Sequence, residues 1–175
     1  LCLYLYDYCP VRRNDKITFE SKKVSNLIFK FKSGHETDLA VKLFSIAISR
    51  IRAIQENKHR AVLVPIPAST REKNRIRYEE FCRKLSADIG VADGYGAITL
   101  TADRPQLKGT HGQDKTANLQ FHPEYITDKC VLLIDDLLTT GEGFIQTRRK
   151  LIEHGAKFVI GLFLAKTIAF EDEQE

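Results

Sequence analysis

Two adjacent carboxylates at the end of an apolar run carry the clearest chemical signal in the sequence. Residues 130–134 are Cys-Val-Leu-Leu-Ile, which predicts a buried strand, and Asp135 and Asp136 follow directly. In an open α/β sheet, ligands bind beyond the carboxyl ends of the strands. Paired carboxylates suit two adjacent hydroxyls, such as those of a ribose, because each hydroxyl donates one hydrogen bond. Adjacent side chains of a regular strand point to opposite faces, so both carboxylates can serve one ligand only if the backbone turns there.

A short polar loop and a predicted helix follow the two carboxylates. Residues 139–143 read Thr-Thr-Gly-Glu-Gly and open a helix predicted over 144–154. The N–H groups and positive dipole end of a helix start form an anion site, and glycine lets the backbone approach a phosphate closely. No Gly-Lys-Ser/Thr follows, so the loop is not a Walker A loop. The pattern predicts a ribose 5-phosphate site. The alternative, that the acids end a strand and Thr-Thr-Gly caps a helix, explains less of the run.

Residues 131–143 resemble the thirteen-residue signature of type I phosphoribosyltransferases. The resemblance implies that the two carboxylates contact the ribose hydroxyls of 5-phosphoribosyl-1-pyrophosphate (PRPP) and that residues 139–143 hold the 5-phosphate. The ribose 5-phosphate site implied in this way consists of Asp135, Asp136, Leu137, Leu138, Thr139, Thr140, Gly141, Glu142 and Gly143. The loop departs from the family at Gly143, where Thr or Ser is usual, and at Glu142, which adds a charge beside the phosphate.

A second segment follows the apolar strand predicted over residues 61–66. Residues 64–71 resemble the pyrophosphate loop of the family, especially in its ComF-like, competence-associated branch. The residues predicted to contact pyrophosphate are Ala68, Ser69, Thr70, Arg71 and Arg77. Alternatively, Ser69 or Thr70 caps the next helix, and both roles are compatible because a helix start is also an anion site. Residues 77–81 read Arg-Tyr-Glu-Glu-Phe where the ComF branch typically has Arg-Gly-Phe-Asn, so we expect a divergent branch.

Residues 102–118 form a long polar stretch without periodicity, where type I enzymes carry a flexible catalytic loop. A lid needs cations when it closes over an anionic ligand, and Lys108 and Lys115 supply them. His111 is a candidate general acid or base because its intrinsic pKa lies near neutrality, although it equally fits a solvated loop histidine. The predicted catalytic residues are Asp135, Asp136, Lys108 and His111.

Strands alternating with helices predict an α/β fold with a parallel sheet. The resemblance makes this a type I phosphoribosyltransferase fold with a Rossmann-like core and a small N-terminal or peripheral hood. We expect one domain over 1–175, with a hood or N-terminal extension in 1–35 and the core in 36–168. Further strands are predicted at residues 1–8, 17–20, 97–101 and 158–165. Further helices are predicted at residues 22–32, 37–55 and 72–89.

Composition limits the classes of protein and of binding partner that remain possible. The chain has 175 residues and a formal net charge of +4, which suits an anionic small substrate but decides little. The four cysteines form no Cys-x-x-Cys pair, so no protein metal site is predicted. No apolar run reaches the roughly 20 residues that span a bilayer. The apolar residues 1–8 are too short for a signal peptide. We expect a cytoplasmic protein without membrane or nucleic-acid partners, with a homodimer as the default oligomer.

The resemblance implies transfer of the phosphoribosyl group of PRPP to a nitrogenous base or related acceptor, with release of pyrophosphate. Mg²⁺ is the expected cofactor, bound mainly through oxygens of the substrate. The acceptor is not encoded in a recognisable motif. The alternative function is a non-catalytic PRPP- or nucleotide-binding regulator, or an accessory protein in DNA uptake.

Overall fold

The computed structural model describes residues 1–10, 19–103 and 114–168. Its strands are β1 (Cys2–Tyr8), β2 (Ala61–Pro65), β3 (Ala92–Asp93), β4 (Ile98–Leu100), β5 (Leu119–Phe121), β6 (Cys130–Leu138) and β7 (Phe158–Thr167). Its α-helices are α1 (Phe19–Lys32), α2 (Thr37–Ser49), α3 (Arg52–Gln55), α4 (Arg71–Asn74), α5 (Glu80–Ile89), α6 (Pro123–Ile126) and α7 (Glu142–Glu153). A π-helical turn (Arg75–Glu79) joins α4 to α5, and 3₁₀ turns lie at Lys58–Arg60 and Tyr95–Ala97.

Five strands form one parallel sheet in the order β1-β7-β6-β2-β3. β4 and β5 form a separate antiparallel pair. The predicted class, α/β with a parallel sheet, is confirmed. Because all five strands of the main sheet run the same way, the loops that follow β2 and β6 meet at its carboxyl edge, where ligands bind in such folds.

Both faces of the main sheet are buried, as expected of a parallel sheet. Leu132 and Ile134 of β6 face a core that is completed by α1, α2 and α5. Val131 and Leu133 face a second core with α7 and the β4–β5 pair. No helix among the described residues is long and apolar enough to cross a membrane.

The segment predicted as a hood or N-terminal extension contributes β1 to the main sheet and α1 to its core. β1 lies parallel to β7, with Leu3 opposite Leu162, and forms an edge of the sheet. Ile28 and Phe31 of α1 are buried in the core beneath that sheet. Other apolar side chains of both elements pack against this core, although Phe19 and Phe29 of α1 are exposed.

Several predicted boundaries also change. The strand predicted at 17–20 is wrong at residues 19 and 20, which open α1. The helix predicted at 37–55 divides into α2 and α3, because Ile51 adopts an extended backbone. β5 was not predicted, since three residues give too short a pattern. The strand predicted at 130–134 continues to Leu138, because β7 runs alongside and supplies ladder partners as far as Lys166.

Candidate functional site

A cavity of about 180 Å³ lies at the carboxyl end of β6. Six of the nine residues predicted for the ribose 5-phosphate site line it, namely Asp135, Leu137, Leu138, Thr139, Gly141 and Gly143. Ile66 and Pro67, from the turn after β2, form part of the opposite wall. The two loops that the sequence singled out therefore meet at one cavity.

The loop after β6 has the geometry of an anion-binding helix start. Gly141 is the N-cap of α7 and adopts a left-handed backbone with φ of +81°, a conformation that glycine accepts without strain. The N–H of Ile145 donates to the Gly141 carbonyl at 2.9 Å, so the intrahelical ladder starts there. The N–H groups of the preceding first turn have no intrahelical acceptor, and the positive dipole end of α7 lies beside the cavity.

Close packing does not require glycine at position 143, where the loop departs from the family pattern. A Cβ at this position would lie 3.6 Å from Cδ of Lys115, which is ordinary van der Waals contact. The neighbouring Glu142 carboxylate lies 3.3 Å from Nζ of Lys115. The charge that Glu142 adds to the loop is therefore balanced by a lysine that itself lines the cavity.

The two adjacent carboxylates separate to opposite faces of the sheet. Because β6 continues to Leu138, the backbone does not turn at the two carboxylates, which was the condition for both to serve one ligand. Asp135 is half-buried and lines the cavity. Asp136 lies on the other face, where its carboxylate is 2.6 Å from Nη1 of Arg77 and 3.6 Å from Nζ of Lys32. Only the first carboxylate of the pair is placed to meet a ligand in this cavity.

Two hydrogen bonds to the same oxygen hold the Asp135 carboxylate in place. The hydroxyl of Tyr78 donates to Oδ1 at 2.6 Å, and the N–H of Asp136 donates to it at 2.7 Å. Burial, and next the negative charge of Asp136, raise the pKa of Asp135 well above the ordinary carboxyl range. Burial, and next the charge of Asp135, raise the pKa of Tyr78, so its hydroxyl keeps its proton and remains a donor.

Two of the predicted pyrophosphate donors near the start of α4 make hydrogen bonds within the fold. The N–H of Ala68 donates to Oδ1 of the buried Asn74 at 3.0 Å. Thr70 is the N-cap of α4, because its Oγ1 accepts the N–H of Lys73 at 3.1 Å, as the alternative interpretation predicted. Ser69 is half-buried and, like these two residues, does not line the cavity.

The two predicted pyrophosphate arginines are also engaged. The Arg71 guanidinium donates to the carbonyls of Leu100 at 3.3 Å and Thr101 at 2.9 Å, which ties α4 to the end of β4. Arg77 pairs with Asp136 on the face of the sheet away from the cavity. In this state of the protein, neither side chain is aimed at a ligand beside Asp135.

The predicted lid falls largely outside the described residues. Lys108 and His111 lie there, so their catalytic roles stay predictions. Lys115, just after that stretch, contacts the cavity, and its N–H donates to Oε1 of Gln146 on α7 at 2.7 Å. The end of the predicted lid is thus anchored to the helix that carries the candidate phosphate site.

Tyr78 is the site residue that sequence reasoning missed. It lies 57 positions before Asp135 and is fully buried, and in the sequence it looks like an ordinary apolar helix position. No local pattern marks it, because its partner is supplied by the tertiary fold.

Among the described residues, no group of three or more His, Cys, Asp or Glu side chains could hold a metal ion. Asp135 is the one acidic side chain that lines the described cavity. This lining offers no cage of protein ligands, so it fits an Mg²⁺ ion that is carried by oxygens of a bound ligand and by water.

The parallel sheet with its candidate site at the carboxyl edge agrees with the type I phosphoribosyltransferase fold implied by the sequence. No family model matches the chain. A stretch of 99 residues is 31% identical to an orotate phosphoribosyltransferase from Pyrococcus abyssi and confirms the predicted resemblance to phosphoribosyltransferases. The match covers 54% of this chain and 52% of that enzyme, so the chain spans about half the length of the curated relative it matches.

A solved adenine phosphoribosyltransferase from Thermoanaerobacter pseudethanolicus is also similar. It is 19% identical, with 71% of this chain and 80% of that chain covered and a TM-score of 0.38. At that TM-score the likeness carries no argument about the site. The narrower ComF-like resemblance is not supported by either comparison.

Proposed function

We propose that the protein binds PRPP with Mg²⁺ and transfers the phosphoribosyl group to a nitrogenous base, with release of pyrophosphate. The observation that carries the proposal is the meeting of Asp135 with the start of α7 at one cavity. An acceptor for a sugar hydroxyl and an anion site at a helix start are the two groups that a ribose 5-phosphate requires.

In this proposal the 5-phosphate lies against the first turn of α7, where N–H groups and the Thr139 hydroxyl donate to its oxygens. Gly141 keeps that surface free of a side chain on the cavity side of the turn. Asp135 accepts a hydrogen bond from a ribose hydroxyl through its oxygen on the cavity side. Lys115 lines the same cavity, where it pairs with Glu142 at 3.3 Å.

Transfer would pass through an oxocarbenium-like transition state, by analogy with other glycosyl transfers. The contribution of the protein is then positional and electrostatic: it fixes the ribose and places Asp135 near the developing positive charge of the ring. Mg²⁺, when bound to the ligand oxygens near Asp135, would neutralise charge on the departing pyrophosphate.

Turnover is tested by incubating the protein with PRPP, Mg²⁺ and single bases, including orotate and adenine, the bases named for its relatives. The proposal predicts pyrophosphate release that depends on one base and is lost in Asp135→Asn. The matched control is Asp38→Asn, because Asp38 is 86% exposed and pairs with Lys84 away from the cavity. Base-independent release, or equal rates in wild type and Asp135→Asn, would contradict the assignment.

One observation favours a second function, a non-catalytic binder of PRPP or a nucleotide that acts as a regulator or accessory protein. Arg71 and Arg77, the cations predicted to neutralise pyrophosphate, are committed to Leu100, Thr101 and Asp136. The ribose 5-phosphate half of the site is thus better formed than the pyrophosphate half. Saturable binding of PRPP without pyrophosphate release across the panel of bases would favour this function over transfer.

A further inference from the structure

A π-helical turn faces the carboxyl end of β6. Arg75–Glu79 interrupts the helical segment between α4 and α5. Such turns are rare and are often found at functional sites, because they shift the side chains that follow out of α-helical register. Here the turn brings Arg77 to Asp136 and Tyr78 to Asp135, so two consecutive residues hold two consecutive carboxylates.

The Tyr78 hydroxyl is held in place by packing of its ring. The side chain is fully buried, and the ring makes edge contacts with Phe31 at 6.0 Å and Phe81 at 6.5 Å between centroids. The Arg77 guanidinium also lies over the Tyr78 ring, 5.5 Å from its centroid. A phenol fixed in this way can set the position of its acceptor, whereas a mobile surface tyrosine could not.

The two oxygens of Asp135 have different surroundings. Both hydrogen bonds that the described residues give to this carboxylate fall on Oδ1, from the Tyr78 hydroxyl and from the Asp136 N–H. Oδ2 receives none from the described part of the chain, although the residue lines the cavity. One oxygen therefore anchors the carboxylate, and the other is left as an acceptor for a bound molecule.

On the basis of the proposed function, we propose that Tyr78 is a positioning residue: it holds Asp135 at the cavity so that Oδ2 accepts a hydrogen bond from a ribose hydroxyl of the ligand. Tyr78 does not itself line the cavity, so it acts on the ligand through Asp135. The role is specific to the hydroxyl, since the ring alone already fills the core.

The hydrogen bond also affects when Asp135 is ionised. The charged groups around this carboxylate are Asp136 on its own strand, Arg77 on the π-helical turn, Lys32 on α1 and Lys115 beside the cavity. Burial and Asp136 favour the protonated form, whereas the Tyr78 hydroxyl favours the carboxylate. Removing that hydroxyl should raise the pKa of Asp135 further and move ligand binding to higher pH.

The test compares wild type, Tyr78→Phe and a control, Tyr4→Phe, whose hydroxyl lies on the exposed side of β1. The ¹³C carboxyl signal of Asp135, assigned by its loss in Asp135→Asn, is titrated in the protein without ligand. Affinity for PRPP with Mg²⁺ is then measured across the same pH range. Loss of a hydrogen bond to a charged group predicts a midpoint raised by about one pH unit in Tyr78→Phe only. The acidic limb of the affinity profile should shift equally, and affinity should stay lower in Tyr78→Phe at high pH, because the ionised carboxylate is no longer held at the cavity.

An unshifted midpoint in folded Tyr78→Phe, or equal shifts in both variants, would overturn the role of Tyr78. Failure of wild type to bind PRPP at any pH would instead overturn the proposed function, while the titration without ligand would still test the Tyr78–Asp135 contact. If Tyr78→Phe does not fold, wild type containing 3-fluorotyrosine replaces it. Its more acidic hydroxyl is a stronger donor, so the Asp135 midpoint should fall, and an unchanged midpoint contradicts the proposal.

Discussion

Arg77→Gln should destabilise the protein by leaving Asp136 buried without its main counter-charge. The two side chains are 13% and 5% exposed, and Nη1 lies 2.6 Å from Oδ2. Removing one partner of a buried ion pair costs about 3–5 kcal/mol. Two features lower the expectation here: Lys32 remains 3.6 Å from Oδ1, and the Arg77–Asp136 contact falls outside hydrogen-bond geometry. We therefore expect a loss of about 2–4 kcal/mol.

Urea denaturation followed by circular dichroism measures this loss in the free energy of unfolding. A double-mutant cycle shows how much of it comes from the Arg77–Asp136 pair. The midpoint temperature of thermal unfolding should fall by about 4–16 °C, because each kcal/mol of lost stability lowers it by about 2–4 °C in a chain of this size. Because Asp136→Asn removes the charge that Arg77 balances, Arg77→Gln should cost much less in that background, with a coupling of about 1–3 kcal/mol. Arg149→Gln is the control, since its pair with Glu153 is largely exposed and should contribute little. Additive losses in the cycle would refute the Arg77–Asp136 pair as the cause of the lost stability.

Three further predictions concern the cavity loop and its carboxylate. Gly141→Ala places a Cβ at φ of +81° and should cost about 1–2 kcal/mol in urea denaturation and weaken phosphate binding, whereas Gly143→Ala should be tolerated in both assays; equal costs would contradict the role of the left-handed turn. Glu142→Gln removes a carboxylate from the first turn of α7 and should tighten PRPP binding several-fold in calorimetry, by about 1 kcal/mol; weaker binding would show that Glu142 serves the ligand. Burial, and next Asp136, raise the folded-state pKa of Asp135, so its stability contribution is fully present below the unfolded pKa near 4 and is lost as pH rises through the folded pKa. Between pH 4 and pH 8 wild type should therefore lose on the order of 1–3 kcal/mol relative to Asp135→Asn, and a constant difference would contradict that burial.

The helix start after β6 was predictable because its information is local. Thr139, Thr140 and the two glycines follow a strand and precede a helix within five positions, a pattern typical of the start of a helix. The structure adds the left-handed backbone of Gly141, which the residue type already allowed. The fold class was predictable for the same reason, since short apolar runs typical of buried strands alternate along the chain with segments of helical spacing.

The course of β6 past Asp135 was not predictable from its own residues. The apolar run ends at Ile134, so the sequence predicted a strand only over residues 130–134. The ladder with β7 continues to Leu138 opposite Lys166 and holds the backbone extended. A neighbour that is distant in sequence therefore decides that Asp135 faces the cavity and Asp136 faces Arg77.

The places of the first ten residues and of the π-helical turn were also not predictable from their own residues. A strand rich in Leu and Tyr fits a sheet edge or a peripheral hood equally well, and only its pairing with β7 decides between them. Helical spacing over residues 72–89 predicts a continuous helix, yet Arg75–Glu79 is a π-helical turn that delivers Arg77 and Tyr78 to β6. Such one-residue shifts in register depend on tertiary contacts that periodicity does not record.

Calorimetric titration of PRPP with Mg²⁺ into wild type, Asp135→Asn and the control Asp38→Asn tests whether the cavity binds a ribose 5-phosphate. We expect one site per chain, competition by ribose 5-phosphate, and unchanged affinity in Asp38→Asn. In Asp135→Asn, loss of a charged hydrogen-bond acceptor should weaken binding about 10- to 100-fold. Absence of binding to wild type, or equal affinities for wild type and Asp135→Asn, would contradict the assignment of this cavity to a ribose 5-phosphate.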